Sequence, residues 1–248
     1  MKKIVTACLF GLFIFSCNNP KSQLEKETDA NKNGFVLKGI LKSFLSDKVY
    51  LSKIIGNDIQ SVDSAKIENN NFIFQGIVDY PERFLLSFEN SSTAAILIVE
   101  NTNFEISIDP DHIDEPLIKG SELNAKLNDY KLASKNIFKK IDYLFTKFQK
   151  ARLENDVKKL DEVGNELKKI EMEFTDFSFD FVKKNSDSYV SAMVLSDQLK
   201  SSTVDTMRIS NAYKLLSEKV KKSPDAQLIA TALSLGSVKK INGAELAK

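Results

Sequence analysis

The hydrophobic period of this 248-residue chain changes near residue 120, and that change constrains its fold more than any other feature. From Gly34 to Lys119, apolar and polar residues alternate in short runs, as in Phe35-Val36-Leu37-Lys38-Gly39-Ile40. From Gly120 onward, apolar residues recur at steps of three and four. A period of two indicates β-strands, and the longer period indicates amphipathic helices. We therefore expect an α+β protein with a β-rich N-terminal part and a helical C-terminal part.

Seven runs in the first part have the length of β-strands. Polar turns such as Asn69-Asn70-Asn71 separate them, and no stretch with a helical period comes between them. This arrangement predicts an antiparallel β-sandwich or barrel-like sheet of about seven strands, and it argues against a parallel sheet with crossover helices. The seven runs cover residues 35–40, 48–51, 59–67, 71–76, 83–88, 94–100 and 104–108.

The helical part begins with two long amphipathic segments, at residues 123–148 and 157–181. Each carries an apolar seam whose members are three or four residues apart, as in coiled coils. Asn155 or Asp156, in the turn between them, is the expected N-cap of the second helix. The two helices should pair as an antiparallel hairpin. Three shorter helices are expected over residues 188–199, 205–221 and 224–235.

Residues 1–16 have the features of a signal peptide. Two lysines precede a mostly apolar stretch, residues 4–15, which is too short for a membrane-spanning helix of about 20 residues. The stretch ends in Ile14-Phe15-Ser16-Cys17, which resembles the cleavage box of bacterial lipoproteins and predicts lipidation of Cys17. Cys8 stands in a similar box, but almost no apolar stretch precedes it. The alternatives are an ordinary signal peptide with a coincidental cysteine and an uncleaved membrane anchor.

The chain beyond the signal peptide divides into four segments. Residues 17–33 are polar and lack a period, so we expect a flexible tether. A β-rich domain over 34–119, a helical domain over 120–236 and a tail over 237–248 follow. Acyl chains on Cys17 would anchor the protein in a membrane of the cell envelope. No clear acidic run follows Cys17, which favours the periplasmic face of the outer membrane.

The formal net charge of +1 hides two halves of opposite sign. Residues 33–119 carry 7 basic and 13 acidic residues, whereas residues 120–248 carry 23 basic and 18 acidic ones. The even total argues against a nucleic-acid binder, which normally has a basic surplus. Helix-surface lysines and turn aspartates are the simplest explanation of the split. Alternatively, the halves attract each other, or the basic half faces an anionic partner such as lipid headgroups.

The segment Asp109-Pro110-Asp111-His112-Ile113-Asp114-Glu115 gathers four carboxylates and the chain's one histidine. Paired acids can bind calcium or act as general acid and base, so Asp109, Asp111 and His112 are weak candidates for a site. A proline among aspartates is also typical of a connector between secondary-structure elements. One histidine and two cysteines exclude a multi-histidine metal site and a CxxC pair beyond Cys17. No cofactor, metal ligand or catalytic residue is therefore assigned.

Several short motifs occur in a particular order along the chain. The first are Phe35-x-Leu37-x-Gly39, Val49-Tyr50-Leu51 and Val62-Asp63-Ser64-Ala65, followed by Phe72-x-Phe74-x-Gly76-x-Val78-x-x-Pro81. A junction at residues 118–124 and motifs at 181–191 and 213–223 follow. Together they resemble the family called domain of unknown function 4369, with its following helical segment. That family is a β-rich module of lipoproteins and secreted proteins in the Bacteroidetes.

In the commonest relatives, a thioredoxin-like or peroxiredoxin-type domain with a catalytic CxxC follows the helical segment. No cysteine follows Cys17 here, so the resemblance carries redox activity to no residue of this chain. It implies a lipid-anchored binding or accessory module without catalytic activity, acting with a separate thioredoxin-like protein. The alternatives are an enzyme that uses carboxylates around Asp109 and Asp111, a thiol–disulfide oxidoreductase that has lost its redox domain, and a degenerate remnant.

Overall fold

A computed structural model describes residues 34–43, 46–55, 58–89, 91–201 and 204–245. Within these ranges the chain forms two four-stranded β-sheets followed by six α-helices, which is the α+β class that the two hydrophobic periods predict. The predicted signal peptide, Cys17 and the tether lie outside the described residues. No helix in the described part is both long enough and apolar enough to cross a membrane.

In the described part of the chain, eight strands build the two sheets, and neither sheet closes into a barrel. The strands are β1 (Phe35–Leu41), β2 (Lys48–Ile55), β3 (Asp58–Lys66), β4 (Asn71–Gly76), β5 (Glu82–Phe88), β6 (Ala94–Val99), β7 (Asn103–Ile108) and β8 (Leu117–Lys119). Sheet A has the order β4-β1-β7-β8, and sheet B has the order β3-β2-β5-β6. β6 and β8 are therefore edge strands.

One strand pair departs from the expected antiparallel arrangement. β1 and β7 run parallel, with Leu37 opposite Phe104, whereas the other five pairings among the described strands are antiparallel. The chain reaches β7 only after it has passed through sheet B, and side-chain alternation within a strand does not encode that path. The three-residue strand β8 was not expected from the sequence either, because it is too short to show a period.

The two sheets share one hydrophobic core, built from alternate residues of the strands. In β1 the buried positions are Phe35, Leu37, Gly39 and Leu41, and the residues that alternate with them are partly or fully exposed. Each fully buried side chain of this size contributes about 1.5–3 kcal/mol to folding. The largest side chains that are almost completely buried between the sheets are Phe74, Leu37, Leu51, Leu86, Leu97, Ile106 and Ile108.

Two phenylalanine–glycine pairs join β1 to β4. Phe35 lies opposite Gly76, and Phe72 lies opposite Gly39. An added Cβ on Gly39 would overlap the Phe72 ring, and one on Gly76 would lie 3.1 Å from the Phe35 ring. Each ring thus covers the glycine of the other strand. The two sequence motifs therefore share a spacing of four residues between phenylalanine and glycine.

Six α-helices follow the sheets within the described residues. They are α1 (Glu122–Leu153), α2 (Val157–Lys184), α3 (Tyr189–Asp197), α4 (Thr206–Leu215), α5 (Glu218–Lys221) and α6 (Pro224–Glu245). The single helix expected over 205–221 is interrupted because Leu216 and Ser217 have extended backbones. Leu216 is buried there, and the Ser217 N–H donates to the Ser186 carbonyl at 3.1 Å. α6 also continues into the segment expected to be a tail, residues 237–248.

α1 and α2 form the predicted antiparallel hairpin. Asp156 is the N-cap of α2, with its carboxylate accepting from the Lys159 N–H at 3.1 Å, and Asn155 adopts a left-handed backbone with φ of 52°. With 32 residues, α1 is about 48 Å long. A separate apolar cluster holds the two helices together, and its buried members are Ile137, Leu144, Val163 and Ile170.

The shorter helices pack around a further core that includes one strand residue. Ile98 of β6 is completely buried in this core, beside residues of α2 to α6. Phe179 also belongs to it, and the Arg208 guanidinium lies 4.2 Å from the centre of its ring. The Phe179 ring is therefore covered by a side chain of α4. Ile98 thus links the helical part to the outer face of sheet B.

Candidate functional site

The predicted carboxylate cluster around Asp109 is a structural turn. The Asp109 side chain accepts from the Asp111 N–H at 3.1 Å and so caps a single 3-10 turn, Pro110–His112. It also accepts from the Lys42 ammonium at 2.8 Å. Asp111 and His112 are exposed, so the structure does not bring the three candidate residues together in a pocket.

The electrostatics of this turn suit an ion pair better than proton transfer. The hydrogen bond from Lys42 holds the pKa of Asp109 below its ordinary value, with help from the Asp111 backbone. A general acid near neutral pH needs a raised pKa instead. Among the described residues, no group of three histidine, cysteine, aspartate or glutamate side chains is placed to hold a metal ion.

A groove of about 540 Å³ lies beside this turn, where α1 passes the open edges of the two sheets. We call it the edge groove. Its apolar walls come from three places: Ile96 on β6, Leu117 on β8, and Leu132 and Phe138 on α1. These four side chains are 39–59% exposed, which leaves their apolar surfaces available for contact.

The start of α1 fixes one end of the edge groove to sheet B. Ser121 is the N-cap of α1, and its hydroxyl also donates to Glu100 at 2.5 Å. The side-chain oxygen of Asn124 accepts from the Ile98 N–H at 2.8 Å, and its amide nitrogen donates to the Ile98 carbonyl at 2.7 Å. Asn124 is 3% exposed, so this clamp is shielded from water. The amide thus pairs with β6 as a neighbouring strand would.

Gly120 makes the turn into α1 with a left-handed backbone, at φ of 86°. A Cβ at this position would lie 2.9 Å from the Asn103 carbonyl oxygen, so both conformation and space favour glycine. This turn brings α1 alongside β6 directly after β8. The edge groove is therefore a product of the junction between the β-rich and helical parts.

Two lysines of α1 face the acidic connector between β7 and β8, residues 109–115, across the edge groove, but only one has a carboxylate partner among the described residues. Lys135 donates to the Glu115 carboxylate, whereas the Lys131 ammonium reaches only the Asp114 carbonyl, at 3.5 Å. Burial lowers the pKa of Lys131, although the charges of Asp114 and Glu115 oppose this effect. Lys131 is thus a partly buried cation without a salt bridge to any described carboxylate.

Part of this site is predictable from the sequence. Residues 118–124 were identified as the junction, and Asp114 and Glu115 belong to the predicted acidic segment. Ile96, Lys131 and Leu132 were missed, because their positions in strand and helix patterns do not indicate that they face a shared groove. The exposure of Leu132, at 54% on an amphipathic helix, is visible only in the structure.

Comparison with known families covers the β-rich part and the start of α1. Residues 35–127 match the family described as a domain of unknown function (DUF4369). The match confirms the resemblance inferred from the ordered strand motifs. It spans all eight strands, the connector and the first turns of α1, including the Asn124 clamp. No curated protein matches the chain.

Proposed function

We propose that this protein is a lipid-anchored binding or accessory module of the cell envelope, without catalytic activity of its own. The edge groove carries the binding part of the proposal. Binding sites are typically concave and mostly apolar, with a few polar groups that orient the ligand. The groove combines Leu117, Leu132 and Phe138 with the ammonium of Lys131, which has no salt bridge to a carboxylate among the described residues.

The catalytic alternative finds less support in the geometry. Asp109 is engaged in capping and in its ion pair with Lys42, and the neighbouring Asp111 lies on an open turn. An enzyme of this kind would bring such carboxylates together in a pocket with opposed pKa shifts. We therefore propose binding as the function and assign the connector a structural role.

The anchor is proposed from the lipoprotein-like box at Cys17. When the protein is expressed with its signal peptide in a bacterium fed an alkyne-tagged fatty acid, the chain should become labelled and sediment with membranes. Cys17→Ala should abolish both, whereas Cys8→Ala should change neither, which makes it the matched control. Labelling that persists in Cys17→Ala would contradict the anchor. Separation of inner and outer membranes, followed by protease treatment, tests the proposed periplasmic face of the outer membrane.

The first partner to test is a separate thioredoxin-like protein, because the resembling family usually carries such a domain in the same chain. A photo-crosslinking amino acid at Leu132 places the reactive group in the edge groove. The matched control is the same residue at Met172, which is 65% exposed on α2 and outside the groove. Crosslinking from Leu132 alone is expected. Equal products from both positions, or none, would contradict a binding role for the groove.

A further inference from the structure

β6 presents an open strand edge inside the edge groove. One side of β6 pairs with β5, with Leu85 opposite Ile96 and Arg83 opposite Ile98. The other side meets the Asn124 amide, which bonds both backbone groups of Ile98. In an antiparallel pair, both backbone groups of a residue point the same way, and the direction repeats at every second residue. The N–H and C=O of Ile96 therefore also point away from β5.

The backbone groups of Ile96 have no hydrogen-bond partner among the described residues. Exposed strand edges are normally protected by charged residues, proline or bulges. β6 reads Ala-Ala-Ile-Leu-Ile-Val and contains none of these residues. Its edge is instead open beside the apolar walls of the groove, next to the Asn124 clamp. Asn124 thus bonds the backbone groups of Ile98, whereas the equivalent groups of Ile96, two residues earlier, have no partner among the described residues.

The charges of the groove add a second requirement for what binds there. Five charged residues line the groove: Lys131, Lys135, Asp114, Glu115 and Asp129. Glu115 accepts from Lys135, whereas Lys131 contacts the Asp114 carbonyl and has no salt bridge to a carboxylate among the described residues. An acidic side chain on a bound segment would complement Lys131. Such a segment would also need apolar side chains at alternate positions to contact Leu117 and Leu132.

From this arrangement we infer that the edge groove binds an extended peptide segment of a partner protein, which pairs as an added strand with β6 at Ile96 and places an acidic side chain beside Lys131. This inference rests on the proposed binding function and specifies its ligand. Main-chain hydrogen bonds would supply affinity, and the pockets for alternate side chains would supply specificity, as in other cases of strand addition.

The test uses the full-length protein purified in detergent and a display library of random twelve-residue peptides. We expect enrichment of peptides that alternate β-branched or aromatic residues and carry one acidic residue. The affinity of the most enriched peptide is then measured by fluorescence anisotropy on protein variants. An enriched set without an acidic residue, or without alternation, would overturn the inference.

Two variants distinguish binding through backbone hydrogen bonds from nonspecific apolar binding. Ile96→Pro removes the outward N–H but no bond to β5, and proline is tolerated on edge strands. It should weaken binding at least about tenfold, which corresponds to 1.4 kcal/mol. Ile96→Val keeps the N–H and should bind within about twofold of the wild type. Equal binding by Ile96→Pro and Ile96→Val would overturn strand addition.

Lys131→Glu tests the charge requirement. In a repeated selection, this variant should enrich peptides with a basic residue in place of the acidic one. An unchanged acidic preference would overturn the role given to Lys131. If Ile96→Pro does not fold, hydrogen exchange of the wild type gives the decision instead, because the bound peptide should protect the Ile96 amide. An unprotected amide would overturn the proposed pairing.

The remaining outcomes distinguish this inference from the broader function. Crosslinking from Leu132 without any enriched peptide would retain the binding module and overturn the strand mode. If there is neither crosslinking from Leu132 nor an enriched peptide, the proposed binding function is itself contradicted. Self-association that Ile96→Pro abolishes would assign the edge to a second copy of this chain, and protection of Ile96 that requires residues 17–33 would assign it to the chain's own tether. Either result would overturn the inference.

Discussion

Phe72 and Gly39 explain, at the scale of single residues, why a weak sequence motif has a definite structural meaning. The Phe72 ring occupies the space that a side chain on Gly39 would need, and it is 3% exposed in the core. Phe35 and Gly76 repeat the arrangement at the other end of the β1–β4 pair. The glycines are therefore required for space beneath a ring.

Gly39→Ala should destabilise the protein by about 2–3 kcal/mol, because the added methyl group overpacks a closed core. Urea denaturation followed by circular dichroism measures the difference. Gly164→Ala is the matched control, because Gly164 lies within α2 and nothing lies within 4 Å of its added Cβ. That change should instead stabilise the protein by about 0.5–1 kcal/mol. Similar effects of the two substitutions would contradict the ring-over-glycine explanation.

Asn124 is the residue on which the start of the edge groove depends. Asn124→Ala should cost about 2–3 kcal/mol, because it leaves the N–H and C=O of Ile98 buried without partners. Chemical denaturation measures the loss, and Asn128→Ala, at an exposed position of the same helix, is the control. A loss no larger than that of the control would show that water satisfies β6 and that the clamp is dispensable.

The α1–α2 hairpin, at the scale of elements, depends on its turn as well as on its seam. The backbone N–H of Lys159 lowers the pKa of Asp156 below its ordinary value of 3.8, and the Lys159 side chain adds to the effect. A carboxyl whose pKa is lower in the folded state stabilises that state above its unfolded pKa. This contribution is lost as the pH falls through the folded-state value.

Asp156→Asn keeps a capping oxygen but removes the titration. Its stability should therefore fall less steeply than that of the wild type as the pH decreases from about 5 to about 2. Thermal unfolding across this range measures the two slopes. Asp161→Asn, at an exposed position within α2, controls for the loss of one carboxylate. The explanation fails if both variants have the same pH dependence as the wild type.

Arg83 joins the two halves at the scale of the whole molecule. From β5, its guanidinium donates to both carboxylate oxygens of Asp197, at 2.7 and 3.0 Å, and to Asp225 at 3.3 Å. The net charges of the halves suggested attraction between an acidic sheet and basic helices. At this contact the polarity is reversed, because the arginine belongs to the sheet and the carboxylates belong to the helices.

Arg83→Met should destabilise the protein by about 2 kcal/mol, between the values typical of exposed and buried ion pairs. The methionine keeps apolar bulk but leaves Asp225 without its guanidinium partner. Lys219→Met removes an exposed ion pair with Asp187 and should leave the urea midpoint unchanged, which makes it the control. Equal effects of Arg83→Met and Lys219→Met would contradict a structural role for the Arg83 contact.

The amino-acid sequence by itself determined the class of most elements. Alternation predicted seven of the eight described strands, and the steps of three and four predicted the hairpin, with Asn155 or Asp156 as the cap of its second helix. These features are local, because side-chain period and capping chemistry act within a few residues. The predicted lipid attachment at Cys17 also rests on local sequence, and it stays a prediction.

Only the tertiary structure decided which elements meet. The parallel pairing of β1 with β7, the break at Leu216 and the clamp of Asn124 on Ile98 each depend on contacts between residues distant in sequence. The edge groove has the same origin, because Ile96, Leu117 and Leu132 come from three separate elements. The acidic segment around Asp109 could be identified from the sequence, because its residues are close together in the chain. The groove beside it could not be predicted from the sequence, because its walls are formed by packing. No sequence period records which exposed side chains line the same groove.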